Sequence, residues 1–167
     1  MSVLSFCQKY TFDVENGKHV ISSILIPTDF SPASWNATQL GLELSRLNVS
    51  TRLSFLHVYP VSPKYIDKAA IEANSELLEV MESRMNELSH SLTEKPEDLI
   101  NNIVLSGNVD EVMLQFIKEN DFDLIIVGIN GNGQNNELGS HTIRVIRESG
   151  VPVMIVPNKS DDGGFRD

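Results

Sequence analysis

The segment from Gly128 to Ser140 has the composition of an anion-binding loop. It reads GINGNGQNNELGS and holds several glycines and amide side chains but no lysine or arginine. It follows the apolar segment DLIIVG and precedes a helix-like segment, HTIRVIRESG. A glycine-rich connection between a strand and a helix can hold phosphate, because free backbone N–H groups point outward where the helix begins. These residues therefore predict a phosphate-binding loop that lacks a cationic side chain.

Asp29 directly follows the first apolar segment of the chain, SSILIPT. A carboxylate there can accept hydrogen bonds from a ribose hydroxyl or an adenine amino group, or it can begin a turn before the next helix. Ser140 has two similar alternatives, because its hydroxyl can donate to an anion or simply cap the helix. Position alone leaves both alternatives open for both residues.

The elements that must position these residues alternate between strands and helices. Predicted strands cover Ser22–Thr28, Arg52–Val58, 99–107, 123–128 and 151–157, and predicted helices cover 32–47, 68–92, 108–121 and 140–148. This alternation indicates a doubly wound α/β fold with a parallel sheet and helices on both faces. Ligands of such sheets bind beyond the carboxyl ends of the strands. We therefore expect Asp29, Val58 and Gly128 to meet at one edge of the sheet.

Apolar residues at helical spacing predict the buried helix faces. In the first helix these residues are Ala37, Leu40, Leu44 and Leu47. In the helix that follows the third strand, they are Val109, Val112, Met113, Phe116 and Ile117.

Composition excludes several classes of partner. The 167-residue chain has a formal net charge of −10, which disfavours nucleic acid and anionic membrane surfaces, because both are bound through lysine and arginine. No apolar run approaches the roughly 18 residues of a membrane span, and the N-terminus does not resemble a secretory signal. Cys7 is the one cysteine, so no intramolecular disulfide or cysteine metal cluster can form. We expect a cytoplasmic protein.

Motifs for catalysis or metal binding are missing from the sequence. The four histidines, His19, His57, His90 and His141, form no HExxH pattern, and we expect a structural or solvent-exposed role for each. The chain also lacks a GxSxG elbow, a GxxxxGK[ST] loop and a complete GxGxxG fingerprint after the first strand. No catalytic or metal-binding residue is predicted. Slow ATP hydrolysis is the weakest hypothesis, because no general base, magnesium carboxylate pair or arginine finger can be named.

Three segments together resemble the universal stress protein family: ILIPTDFSPAS, FLHVYP, and the stretch from DLIIVG to VPVMIVP. The resemblance covers about residues 21–157. It implies a five-stranded parallel sheet in the order 3-2-1-4-5 and, usually, a homodimer. The chain then divides into an N-terminal extension (1–20), the universal stress protein domain (21–157) and a tail expected to be disordered (158–167).

The resemblance also implies a ligand and its binding residues. In the ATP-binding branch of the family, a G-x2-G-x9-G-[S/T] loop wraps the phosphates, while adenine and ribose lie against the first two strands. The matching residues in this chain are Pro27, Thr28, Asp29, Val58, Val127, Gly128, Asn130, Gly131, Gly139 and Ser140. The implied ligand is ATP or another adenine nucleotide, with Mg²⁺ if it is a triphosphate.

The loop departs from the family pattern in length and charge. Only seven residues separate Gly131 from Gly139, two fewer than in that branch, and Asn132 stands where a basic residue is common. Glu137 adds a negative charge. Two residues span up to about 6.6–7.2 Å, which is comparable with one phosphate unit. These departures favour AMP or ADP, and they leave open a dimeric stress or scaffold protein that binds no nucleotide and acts through protein contacts.

Two further expectations concern the ends of the domain. The last strand, Val151–Pro157, is predicted to pair with its copy in a homodimer, because an uncovered apolar edge strand would promote aggregation. Asn16-Gly17 predicts a tight turn in the N-terminal extension, whose alternating apolar residues suggest an extra strand. We expect that strand to pack on a sheet edge or on the partner, away from the carboxyl ends of the strands.

Overall fold

The computed structural model describes residues 21–47, 50–60, 68–93, 99–129 and 140–157. The predicted N-terminal strand and turn and the C-terminal tail lie outside the described residues.

The described residues form five strands and four helices in strict alternation. They are β1 (Ser23–Pro27), α1 (Pro32–Leu47), β2 (Arg52–Tyr59), α2 (Lys68–Leu92), β3 (Ile100–Ser106), α3 (Val109–Glu119), β4 (Leu124–Ile129), α4 (Ser140–Glu148) and β5 (Val153–Pro157). This order confirms the α/β prediction. Short aliphatic runs give the strands because they can be buried on both faces of the sheet.

All strand pairs are parallel, and the sheet order is β3-β2-β1-β4-β5. The central strand is β1, in which Ile24 lies opposite Leu53 of β2 on one side and opposite Leu124 of β4 on the other. The predicted order 3-2-1-4-5 is confirmed. Because all strands run in the same direction, their carboxyl ends lie together at one end of the sheet.

The core has two halves, one on each face of the sheet. Ile24 and Ile26 point toward α1 and α2, where they pack with Met85. Leu25 points to the opposite face and packs with Ile117 of α3 and with α4. All five of these side chains are fully buried, and a side chain of this size contributes about 1.5–3 kcal/mol to folding.

Leu47 corrects the predicted buried face of α1. The pattern groups it with Ala37, Leu40 and Leu44, but its side chain is 82% exposed. Leu47 is the last residue of α1, so the helix ends before that face can pack further along the sheet. The predicted stripe of α3 is confirmed, because Met113 and Ile117 are buried and the other three residues pack against the same core.

No helix in the described part of the chain is long and apolar enough to cross a membrane.

Candidate functional site

A cavity of about 490 Å³ opens at the carboxyl ends of β1, β2 and β4. Its volume lies within the range of roughly 300–1,000 Å³ that is typical of small-molecule sites. The first turn of α1 and parts of α3 and α4 close its sides. Its lining consists of Pro27, Thr28, Asp29, Ser31, Ala33, Ser34, Leu56, His57, Val58, Val109, Met113, Val127, Gly128, Ile129, Thr142 and Val145.

The structure brings six of the ten predicted binding residues into this cavity. They are Pro27, Thr28, Asp29, Val58, Val127 and Gly128. Ser140 begins α4, but its side chain lies outside the described part of the structure. The predicted loop residues Asn130, Gly131 and Gly139 also lie outside the described residues. The strand-end half of the predicted site is thus assembled in one place.

The Asp29 carboxylate is held in a turn before α1. Its Oδ1 atom accepts a hydrogen bond of 3.0 Å from the backbone N–H of Ser31. Partial burial alone would raise the pKa of Asp29, but hydrogen bonds from Ser31 and from the Ser34 hydroxyl outweigh it and lower the pKa below its ordinary value. Asp29 is therefore an ionised, acceptor-only group at neutral pH.

Hydroxyl groups of Thr28, Ser31 and Ser34 form hydrogen bonds within the turn around Asp29. The Thr28 hydroxyl donates to the Ser34 hydroxyl at 3.1 Å and accepts a hydrogen bond from the backbone N–H of Phe30 at 3.1 Å. The Ser31 hydroxyl caps α1 by accepting from the backbone N–H of Ser34 at 3.2 Å. Asp29 is thus held in place by bonded neighbours on both sides.

The rings of His57 and Phe30 pack against each other beside the cavity. Their centres lie 4.7 Å apart with the ring planes tilted by 45°, and the Arg84 guanidinium lies 4.2 Å from the centre of the Phe30 ring. His57 Nδ1 lies 2.8 Å from the carbonyl oxygen of Thr28, so this nitrogen carries a proton and donates. Phe30 has a φ of 61°, which costs a non-glycine residue roughly 1–2 kcal/mol. The ring contact with His57 and the hydrogen bond from the Phe30 N–H to the Thr28 hydroxyl favour that conformation.

Gly128 is required by packing as well as by the loop pattern. A Cβ atom at this position would overlap the carbonyl group of Ala33 and approach the backbone nitrogen of Ser34 at 2.7 Å. The absent side chain therefore allows β4 to lie directly against the first turn of α1. This close approach brings the end of β4 next to Asp29 and its turn.

An apolar wall supplied by α3 and α4 was missed by the sequence prediction of the site. Val109 and Met113 project from α3, and Val145 projects from α4. Asn108 fixes where α3 begins, since its side chain accepts from the backbone N–H groups of Asp110 and Glu111. The apolar stripe of α3 was visible in the sequence. That its first turn borders a cavity depends on the tertiary packing.

The described lining suits a ligand that is partly apolar and carries hydroxyl groups. Asp29 is its one carboxylate, and no lysine or arginine belongs to it. Apolar side chains form most of the remaining wall, and they can pack against a planar base. Within the described residues, no group of three or more histidine, cysteine, aspartate or glutamate side chains could hold a metal ion.

Comparison with known proteins gives a family match over the whole domain. Residues 21–157 match the model of the universal stress protein family. One curated relative is universal stress protein A homolog 1 of Coxiella burnetii, which is 28% identical over 145 residues, or 83% of this chain and 95% of that protein. Another is universal stress protein MJ0531 of Methanocaldococcus jannaschii, 26% identical over 149 residues and covering 86% of each chain.

Solved structures share the fold. The hypothetical protein MJ0577 aligns with a TM-score of 0.69 and 26% identity, over 85% of this chain and 100% of that one. A universal stress protein family protein from Arabidopsis thaliana, solved with AMP bound, aligns with a TM-score of 0.54 and 18% identity, over 86% and 96% of the two chains. A universal stress protein in complex with cAMP aligns with a TM-score of 0.56 and 16% identity, over 83% and 98%.

Proposed function

The chain belongs to the universal stress protein family, and from this premise we propose that it is a regulatory module that binds an adenine nucleotide. The ligand occupies the cavity at the carboxyl ends of β1, β2 and β4. Asp29 accepts hydrogen bonds from the ribose hydroxyls, and the base packs between Val58, Val127 and the wall formed by α3.

The observation that carries this proposal is the position of Asp29 at the mouth of an apolar cavity. Its carboxylate is held by Ser31 and stays ionised, so it is a fixed acceptor for hydroxyl donors. Val58 and Val127 line the same cavity. Their side chains are otherwise buried in the protein, and the part that faces the cavity offers an apolar surface to a base. A nucleoside combines hydroxyl donors with a flat apolar ring, and the cavity offers a partner for each.

The solved relatives with AMP and cAMP support the choice of an adenine compound. Their identities of 16% and 18% establish a shared fold only, so the roles proposed for Asp29, Val58 and Val127 rest on the cavity itself. For a triphosphate with Mg²⁺, the described lining would offer the metal one carboxylate, that of Asp29. The nucleoside portion therefore fits the described residues better than a metal-bound triphosphate does.

The proposal is tested by identifying what the protein binds. Mass spectrometry of gently purified protein detects a retained nucleotide, and calorimetry with AMP, ADP and ATP measures affinity. Asp29→Asn is expected to weaken binding about tenfold, because one charge-assisted hydrogen bond contributes roughly 1.5–3 kcal/mol. Asp121→Asn, at the opposite end of the sheet, is the matched control and should bind like the parent protein. No retained nucleotide and no heat at millimolar concentrations would refute nucleotide binding.

A second candidate function is that of a dimeric protein that acts through protein contacts. The exposed apolar side chains on the edge strand β5 favour this function. One of the two edge strands of the sheet is β5, where Met154 and Ile155 are 38% and 39% exposed. Successive strand residues point to opposite faces, so apolar side chains are uncovered on both sides of this strand. A second copy of the same edge, related by a two-fold axis, would cover both. We propose this homodimer whether or not a nucleotide is bound.

A further inference from the structure

We infer that Phe30 is a positioning residue, which holds the Asp29 carboxylate in place for the ligand and is itself held by the ring of His57. This inference rests on the proposed function and adds the residues that prepare its hydrogen-bond acceptor. It follows from the backbone conformation at Phe30 and from the contacts of its ring.

Phe30 is the middle residue of a turn that the Asp29 side chain closes. Asp29 Oδ1 accepts a hydrogen bond of 3.0 Å from the backbone N–H of Ser31, two residues further along the chain. The aspartate side chain here takes the place of the backbone carbonyl in an ordinary turn. Whether the Ser31 N–H points back at the carboxylate depends on the backbone conformation of the residue between them. Phe30 therefore sets the geometry of the Asp29 acceptor.

The conformation of Phe30 is one that a phenylalanine seldom adopts. Its φ of 61° lies in the left-handed region, which glycine and asparagine occupy most readily in turns. Among the described residues, Phe30 is the one residue other than glycine that has a positive φ. A glycine would satisfy the backbone at this position. The presence of an aromatic side chain here points to a role for its ring.

The ring of Phe30 contacts side chains from two other elements. Its centre lies 4.7 Å from that of His57 in β2 and 4.2 Å from the Arg84 guanidinium of α2. His57 is itself anchored, because its Nδ1 atom donates to the carbonyl oxygen of Thr28 over 2.8 Å. The Phe30 N–H donates to the hydroxyl of the same threonine at 3.1 Å. Both the ring and the backbone of Phe30 are thus tied to the end of β1, beside Asp29.

The titration of Asp29 tests the inference without any ligand. Partial burial opposes ionisation of Asp29, but hydrogen bonds from Ser31 and Ser34 outweigh it and lower the pKa below its ordinary value. Phe30→Ala should loosen the turn and raise the pKa of Asp29 toward that value, because a lost donor no longer stabilises the ionised form. Carboxyl carbon NMR shifts measure the change. An unchanged pKa in a folded Phe30→Ala protein would overturn the inference.

Three further variants separate the ring contact from a general loss of packing. Phe30→Tyr restores the ring and should recover the low pKa of Asp29. Phe122→Ala removes a partly buried phenylalanine that packs 5.8 Å from Phe116 before β4, and it should leave the Asp29 titration unchanged. His57→Ala should raise the pKa, and it decides the question if Phe30→Ala does not fold. A pKa that rises equally in Phe122→Ala, or stays low in His57→Ala, would overturn the inference.

Calorimetry with AMP tests whether Phe30 acts through Asp29. Phe30→Ala should weaken AMP binding at least about threefold, and Asp29→Asn about tenfold, since both disturb a charge-assisted hydrogen bond. In the double variant the loss should stay within about twofold of that in Asp29→Asn alone, because residues that act through one contact are not additive. Losses that multiply would overturn the inference. A parent protein that does not bind AMP would refute the proposed function, and the titration would still decide the role of Phe30.

Discussion

Gly128 lies where β4 passes beneath the first turn of α1, and a methyl group there would meet backbone atoms of Ala33 and Ser34. We predict that Gly128→Ala destabilises the fold by about 1–3 kcal/mol, because a well-packed backbone contact cannot yield without shifting α1. Urea denaturation measures the change in the free energy of unfolding.

Gly41→Ala is the matched control for that prediction. Its new methyl group would meet the terminal Cδ1 atom of the Ile26 side chain, which can rotate away, whereas backbone cannot. Alanine also favours a helix over glycine by roughly 0.5–1 kcal/mol. The Gly41 variant should therefore lose less stability than the Gly128 variant. Equal losses would contradict the packing role assigned to Gly128.

The pKa of Asp29 provides a second prediction at the residue scale. It should lie below the ordinary value of about 3.9 for aspartate, because Ser31 and Ser34 stabilise the ionised form. Because the pKa of Asp29 is lower in the folded protein, its ionisation stabilises the fold at pH values above the ordinary pKa of aspartate. This stabilisation is lost as the pH falls through the lower pKa of the folded state. Carboxyl carbon NMR shifts report the titration.

Ser31→Ala should raise the pKa of Asp29 while the backbone donor remains. Ser91→Ala, on the exposed end of α2, should leave it unchanged. An Asp29 titration at or above the ordinary value in the parent protein would contradict the proposed hydrogen bonding of the turn.

Sequence reasoning found Asp29 and Gly128 but gave only part of the reason for each. The loop pattern assigns Gly128 to phosphate, whereas its contact with Ala33 is invisible without the packing of α1 on β4. His57 was expected to have a structural or solvent role, and the structure places it in the cavity lining with Nδ1 bonded to Thr28. Which strand-end side chains face a cavity depends on neighbouring strands, and a single segment does not encode it.

At the scale of elements, the strands and helices could be predicted because each has a strong local pattern. Short aliphatic runs gave the strands, and apolar stripes gave α1 and α3. The boundaries moved by one or two residues: β2 continues through Tyr59, and α3 ends at Glu119. The contribution of α3 to the cavity wall could not be predicted, because Val109 and Met113 read equally well as ordinary core residues.

The start of α3 carries the element-scale prediction. Asn108→Ala removes the side-chain acceptor for the N–H groups of Asp110 and Glu111, and should destabilise the protein by about 0.5–2 kcal/mol. Thermal and urea unfolding measure this loss. Asn101→Ala, an exposed position on β3, deletes the same side chain without a helix cap and should change stability by less than about 0.5 kcal/mol. Equal effects would argue against capping at Asn108.

At the scale of the whole molecule, alternation of strands and helices predicted a parallel sheet but not the strand order. The order 3-2-1-4-5 came from the family resemblance, and the structure confirms it. That order puts β5 at an edge and the ends of β1 and β4 side by side. The position of the site is therefore a property of the topology, to which Asp29 and Gly128 contribute from distant parts of the sequence.

The exposed edge leads to a prediction about assembly. The parent protein should be a dimer at micromolar concentration, and Ile155→Lys should shift it to a monomer, because a charge at the centre of the paired edges would be desolvated. Val80→Lys is the control, since Val80 is apolar and 52% exposed on α2, away from β5. Light scattering coupled to size exclusion measures the mass. A monomeric parent protein, or a Val80 variant that dissociates equally, would contradict pairing through β5.

The central claim is that the cavity at the strand ends binds an adenine nucleotide. Amide NMR spectra recorded during titration with AMP test it most directly, because they report both binding and location. The account predicts saturable shifts at Asp29, Val58 and Val127, with little change at the opposite end of the sheet around Asp121. No shifts at millimolar AMP, or shifts confined to residues away from the strand ends, would contradict it.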